Sequence, residues 1–267
     1  MSRIGERFQQ LVANGRKGFI PFVTAGDPDL ETSLSILLKL ADRGADVIEL
    51  GVPFSDPMAD GPTIQRSSQR ALRNGVILGD VLDLARKFRA LKDTPLVLFS
   101  YLNPLLSYGF ERLARDGAAA GVDGILITDA VDEEAAEFSR LLEVSGLDLI
   151  SLIAPTTSDE RLERIANNSR GFLYAVSRAG VTGAQQDVSS GAATLVERAR
   201  KFTDLPIAVG FGISTAAQIS NVWSFADAAV VGSAIVKVIE DSSNGDPVAA
   251  VETFVSGLVP QFAKSNT

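Results

Sequence analysis

Eight short, β-branched apolar runs recur along the chain: GFIPFV (18–23), DVIELGV (46–52), PLVLFSYL (95–102), GILITDA (124–130), LDLISLIA (147–154), GFLYAVS (171–177), PIAVGF (206–211) and AAVVGS (228–233). Each is near-continuous rather than alternating, the pattern of parallel strands covered on both faces. Amphipathic segments rich in Leu, Ala, Glu and Arg separate them, at 29–43, 62–73 with 79–92, 110–120, 131–145, 158–168, 191–202 and 214–222, and a last helical stretch lies at 247–263. Eight βα units in 267 residues have the size and rhythm of an α/β (β/α)8 TIM barrel. The expectation is one domain over 1–267, with an extra N-terminal helix. An open doubly wound sheet is the alternative, but no G-x-G-x-x-G follows the first run. No Pro/Ser-rich linker or shift in composition marks a domain boundary.

The spacing of the runs is uneven, and the surplus residues fall in two places, PFSDPMADGP (53–62) after the second run and RAGVTGAQQDVSSG (178–191) after the sixth. In a barrel, long βα loops lie on the face where active sites are built.

The chain contains no histidine and no cysteine. That excludes disulfides, thiolate metal sites, cysteine nucleophiles and His-based acid–base pairs, and leaves proton transfer to carboxylates, Lys, Tyr or water. With Lys+Arg 25 against Asp+Glu 33, the net charge is −8, the wrong sign for holding nucleic acid or an anionic membrane. An anionic small ligand fits only where backbone amides hold it. The first residues have no apolar core of signal-peptide length and no apolar stretch of about 18 residues follows, so a cytoplasmic protein is expected.

Glu49 interrupts the run Val47-Ile48-Glu49-Leu50-Gly51 near the C-terminal end of the second strand. A period of two sends Val47, Glu49 and Gly51 to the barrel interior. Burial raises a carboxyl's pKa and makes it a proton carrier near neutral pH; an interior carboxylate satisfied by a hydroxyl or an arginine is the structural alternative. Asp56 and Asp60 lie in the Gly/Pro/Asp-rich loop that follows, where turn chemistry alone accounts for either. Together with Glu49, Asp60 offers a second carboxylate over the barrel mouth. Gly-Phe-Gly-Ile-Ser (210–214) and Val-Gly-Ser-Ala (231–234) end the last two strands and run into helices, a pairing suited to phosphate. Gly180, Thr182 and Gly183 in the sixth loop can close over the same site. No lysine is placed for Schiff-base chemistry: Lys17 precedes strand one, Lys39, Lys87, Lys92 and Lys201 fall on outer helices, and Lys237 lies beyond strand eight. No Asp/Glu cluster points to a metal, so none is expected. Phe22 and Tyr174 are core aromatics by default, and equally suited to a flat aromatic substrate.

The runs IELGVPFSDPMADGPTIQ (48–65), YLNPLLSYG (101–109), SRAGVTGA (177–184), VGFGIS (209–214) and GSAIVKVIE (232–240) closely resemble the tryptophan synthase α subunit family, in order from PFVTAGDPD (21–29) to the last strand. The resemblance implies a lyase that cleaves indole-3-glycerol phosphate to indole and glyceraldehyde 3-phosphate, with Glu49 and Asp60 as its catalytic pair. By the same resemblance Phe22, Leu126, Ile153 and Phe211 line the indole pocket and Tyr174 walls it. Gly183, Gly212, Gly232 and Ser233 hold the phosphate, and Thr182 meets Asp60 on closure. The family works without a cofactor in this chain and pairs, as an α2β2 complex, with a β subunit that carries pyridoxal phosphate. Asp56, Pro57, Met58 and Asn103, the last in the third loop, match the docking surface. A stand-alone lyase releasing free indole and a non-catalytic phosphate-binding barrel are the alternatives. One stretch departs from the family pattern: Thr128-Asp129-Ala130-Val131-Asp132 stands where members usually carry an Asp followed two residues on by Pro.

Overall fold

Apolar side chains on both faces of every strand leave a parallel sheet no solvent-facing side, and here the sheet closes on itself. The computed structural model describes residues 2–130, 132–176, 188–210 and 212–259. Its eight parallel strands are β1 (Gly18–Thr24), β2 (Ile48–Gly51), β3 (Leu96–Ser100), β4 (Gly124–Ile127), β5 (Asp148–Ile153), β6 (Leu173–Val176), β7 (Ile207–Gly210) and β8 (Ala228–Val231). They form a closed barrel in chain order, β8 pairing with β1. The helices among the described residues are α1 (Arg3–Ala13), α2 (Leu30–Asp42), α3 (Pro62–Arg73), α4 (Leu78–Arg89), α5 (Leu102–Tyr108), α6 (Phe110–Ala119), α7 (Asp132–Val144), α8 (Asp159–Asn168), α9 (Val188–Ala199), α10 (Ala216–Trp223), α11 (Ser233–Asp241) and α12 (Pro247–Leu258).

The period of two divides the core into two layers. Phe19, Ile48, Leu50, Leu96, Leu98, Ile125, Leu149, Leu173, Val209 and Val231 point outward and pack under the helices. Ile20, Val47, Val97, Leu126, Ile150, Phe172, Tyr174, Ala208 and Val230 point inward, and Ile4, Phe8 and Leu11 of α1 join them. The extra N-terminal helix therefore plugs the barrel floor, with the rings of Phe8 and Phe172 5.8 Å apart. Ser2 caps it, accepting from the Gly5 N–H.

The N-terminal rim is stitched by aspartates that stand just before a strand and accept the first N–H of a neighbouring one. Asp46 takes the Phe19 N–H at 2.8 Å, Asp123 that of Leu96 at 2.8 Å and Asp227 that of Ile207 at 2.9 Å. Cations answer each: Arg7 and Arg16 at Asp46, Arg3 and Arg89 at Asp123, Lys17 and Arg200 at Asp227. On the opposite rim, the long interval after β2 holds a loop and then α3, an additional helix before α4. The other long interval, 178–191, lies mostly outside the described residues.

Candidate active site

Glu49 is paired in register with Phe22 on β1 and Val97 on β3, which turns its side chain inward among apolar residues. It is 0% exposed, and neither carboxylate oxygen has a hydrogen-bond partner. The hydroxyl or arginine that would make it an ordinary interior carboxylate is thus missing among the described residues. Burial alone pushes its pKa up to about 8.

Asp60 is brought over the same mouth by a folded loop. The Met58 N–H donates to the Asp56 carbonyl and the Asp60 N–H to that of Pro57, while Gln65 Nε2 donates to the Asp60 carbonyl at 2.9 Å. Tyr101, just beyond β3, fixes the loop from below: its hydroxyl accepts the Ala59 N–H at 2.9 Å and bonds the Asp60 carboxyl, and its ring packs on Phe54 at 5.3 Å. Burial raises the half-buried Asp60 to about 6 against the lowering effect of that hydrogen bond. Tyr174 lies near both carboxyls, since burial and then the charges of Glu49 and Asp60 push its phenol far above the ordinary value.

Bare backbone makes room for the aromatic walls. A Cβ on Gly51 would stand 2.6 Å from the Phe22 ring. Phe22 meets Phe99 edge-on at 5.2 Å. Gly232 caps α11 and Ser233 is that helix's exposed first residue, so unpaired N–H groups open onto the rim there. Gly212 adopts φ +74°, a conformation glycine alone enters without strain.

One expected pocket residue is misplaced. Ile153 faces outward into the helix-covered layer, because Ile150 faces inward and β5 alternates; Leu152 is the β5 residue packed toward the interior near the mouth. Counting by twos from Ile150 identifies it. Phe99 and Tyr101 also stand at this end of the barrel, and nothing in the sequence distinguishes an aromatic closing an apolar run from core packing. Leu126 lies in the interior layer. Thr182, Gly183 and Phe211 lie outside the described residues. Asp56 and Met58 are exposed, Met58 at 87%, and Pro57 is half-buried between them. Asn103, also exposed, sits in the first turn of α5 rather than in a loop. The atypical stretch after β4 has a local role: Asp129 accepts the Leu102 N–H at 2.7 Å and caps α5. No cluster of metal-ligating residues occurs among the described residues.

A closed parallel barrel with one orphaned carboxyl inside its mouth and a second on the loop above it is a (β/α)8 barrel whose candidate site is built on carboxylates at the C-terminal face. Comparison with known proteins gives the family. The family model described as tryptophan synthase alpha chain matches residues 8–262. The tryptophan synthase alpha chain of Acidiphilium cryptum is 52% identical over 97% of this chain and 95% of its own length. That of Geobacter sulfurreducens is 49% identical over 97% and 98%. Among solved structures, tryptophan synthase subunit alpha from Legionella pneumophila superposes with a TM-score of 0.91 at 38% identity, covering 98% of this chain and 99% of that one. Tryptophan synthase from M. tuberculosis in its aminoacrylate-bound form gives 0.87 at 35% identity, covering 97% and 98%. The chain belongs to the tryptophan synthase alpha chain family.

Proposed function

We propose that this chain carries out the α reaction of tryptophan synthase, cleaving indole-3-glycerol phosphate to indole and glyceraldehyde 3-phosphate as one barrel domain, and passes the indole to a β subunit. The observation that carries the catalytic assignment is the orphaned Glu49 carboxyl, poised at about 8, with Asp60 at about 6 above it. Near neutral pH the first is protonated and the second ionised.

Glu49 gives its proton to C3 of the indole ring, which becomes an electron sink. The Asp60 carboxylate accepts a hydrogen bond from the indole N–H and stabilises the positive charge that develops there. The Glu49 carboxylate then takes the proton of the glycerol C3′ hydroxyl as the carbon–carbon bond breaks. The bonding electrons return to the ring, the aldehyde forms, and Glu49 ends as it began. Phe22, Phe99, Leu126, Leu152 and Phe211 enclose the ring, and Tyr174 walls the site. Backbone amides at Gly183, Gly212 and Gly232, with Ser233, hold the phosphate, which is how a chain of net charge −8 accommodates an anion. By its resemblance to the family, Thr182 is assigned as the sixth-loop partner of Asp60.

No step calls for a cofactor in this chain; pyridoxal phosphate belongs to the β subunit of the complex. Asp56, Pro57, Met58 and Asn103 form part of the docking surface for that subunit. No described helix is long and apolar enough to cross a membrane, and the reading places the protein in the cytoplasm. The test is indole release from indole-3-glycerol phosphate, with and without a β subunit. Glu49→Gln is expected to lower the rate by about 10²–10⁴-fold while fold and phosphate binding persist. Near-normal turnover in that variant overturns the mechanism. A high rate indifferent to the β subunit replaces the subunit reading with a stand-alone lyase.

A further inference from the structure

The helix that follows the Asp60 loop is docked in an unusual way. α3 fully buries only Ser67, Ser68 and Ala71, so it has almost no apolar anchor. Polar contacts hold it instead. Ser67 Oγ lies 2.7 Å from Thr24 Oγ1 at the end of β1, and Asn74 Nδ2 donates to the Pro28 carbonyl at 2.6 Å. Arg70 forks onto Asp27 through Nε at 2.7 Å and Nη2 at 2.8 Å, and its Nη1 donates to Glu240 at 2.8 Å. Arg66 forks onto Glu240 with two bonds of 2.7 Å. Asp27 is 1% exposed and Arg70 is the only cation paired with it among the described residues.

These contacts converge on three parts of the site. Asp27 ends the turn after β1, the strand that carries Phe22. Glu240 is in the last turn of α11, whose first residue is Ser233. α3 begins two residues after Asp60, and its Gln65 holds the Asp60 carbonyl. Paired charges with forked, charge-assisted bonds fix orientation more sharply than apolar contacts, which tolerate sliding.

We infer that Arg70 is a positioning residue for Asp60: with Asp27, Glu240 and Arg66 it sets α3, and hence the Asp60 loop, in register with the Phe22 strand and the phosphate-facing helix α11. Arg70 touches no reacting atom. It acts by fixing where the Asp60 carboxylate stands, and the inference rests on the role of Asp60 given above.

Steady-state indole release in the presence of the β subunit tests it, using Arg70→Gln and Glu240→Gln in the wild-type and Asp60→Asn backgrounds. A misplaced catalytic group lowers kcat, so Arg70→Gln is expected to reduce kcat by roughly 10- to 100-fold with KM within about threefold. Glu240→Gln, which leaves Arg70 on Asp27, is expected to cost about two- to fivefold in kcat. In the Asp60→Asn background each change is expected to alter the residual rate by less than about twofold, because a carboxylate that is gone cannot be misplaced. Arg70→Lys, which keeps the charge but not the fork, recovers only part of the loss. Equal losses with and without Asp60, an unchanged kcat in a folded variant, or an effect confined to KM overturns the inference. Should Arg70→Gln leave the unpaired Asp27 carboxylate and fail to fold, Glu240→Gln decides the matter by the same criteria. Wild-type protein that releases no indole overturns the functional reading itself, a result distinct from any of these.

Discussion

The hydroxyl of Tyr174 occupies the space a side chain at Gly210 would need: a Cβ there would stand 2.2 Å from the Tyr174 oxygen and 2.7 Å from Cζ. The two residues are on the adjacent strands β6 and β7, and the missing side chain on one lets the ring of the other lean into the mouth beside Glu49 and Asp60.

Gly210→Ala should therefore displace Tyr174 rather than unfold the barrel. Overpacking of this kind costs about 1–3 kcal/mol, and displacement of an active-site wall roughly 10- to 100-fold in kcat/KM. Indole release alongside thermal unfolding checks both. Wild-type activity in Gly210→Ala would show that the ring can move at no catalytic expense.

The free enzyme should show a bell-shaped dependence of kcat/KM on pH. The reaction needs Asp60 ionised, which gives a limb rising near 6, and Glu49 protonated, which gives a limb falling near 8. Tyr101 supplies the hydrogen bond that lowers Asp60, so Tyr101→Phe should move the rising limb to higher pH and leave the falling limb in place. A shift of both limbs, or of neither, contradicts the assignment.

Much of this was legible in the sequence because each strand is a near-continuous apolar run, and a charge inside such a run, as at Glu49, stands out. What was not legible depends on parity and on long-range contact. The face that Ile153 occupies follows only from knowing that Ile150 points inward. α5 was missed because Leu102–Tyr108 is short and carries Pro104 in its first turn, where proline is tolerated; the capping carboxylate that starts it, Asp129, comes from the turn after β4. α9 begins at Val188 and ends at Ala199, earlier at both ends than its composition suggested. Nothing local marks the Tyr101 hydroxyl as one that will meet the Asp60 loop at Ala59. The pairing of Asp27 with Arg70 joins the turn after β1 to the body of α3, two segments that carry no shared motif.

Glu49 should also leave a signature in stability. Its folded-state pKa of about 8 stands above the ordinary 4.5, so the folded state binds the proton more tightly than the unfolded chain does. The resulting stabilisation is complete below about pH 4.5 and is lost as pH rises through about 8, a change on the order of 3–5 kcal/mol. Glu49→Gln cannot titrate and should lack this part of the slope, so the difference in unfolding free energy between wild type and variant should drift in the variant's favour across that window. Denaturant titrations at intervals of pH measure it, and parallel curves would show that Glu49 titrates normally in the folded state.

The opposite rim should separate stability from catalysis. Asp123, 4% exposed, accepts the Leu96 N–H and pairs with Arg89, whose side chain is only 13% exposed, and with Arg3. Asp123→Ala leaves a buried N–H without an acceptor and a mostly buried guanidinium without the carboxylate it pairs with, a loss of about 3–5 kcal/mol. Asp123→Asn keeps an acceptor for Leu96 and should fall between the two. Because this rim lies at the end of the barrel away from Glu49 and Asp60, kcat and KM of the folded protein should stay within about twofold of wild type. Trp223 is the sole tryptophan and donates to the Gly18 carbonyl at 2.8 Å on the same rim, so its fluorescence reports unfolding of the barrel. A large fall in kcat without loss of stability would place Asp123 in the catalytic machinery, contrary to the division between a stitched N-terminal rim and a catalytic C-terminal mouth.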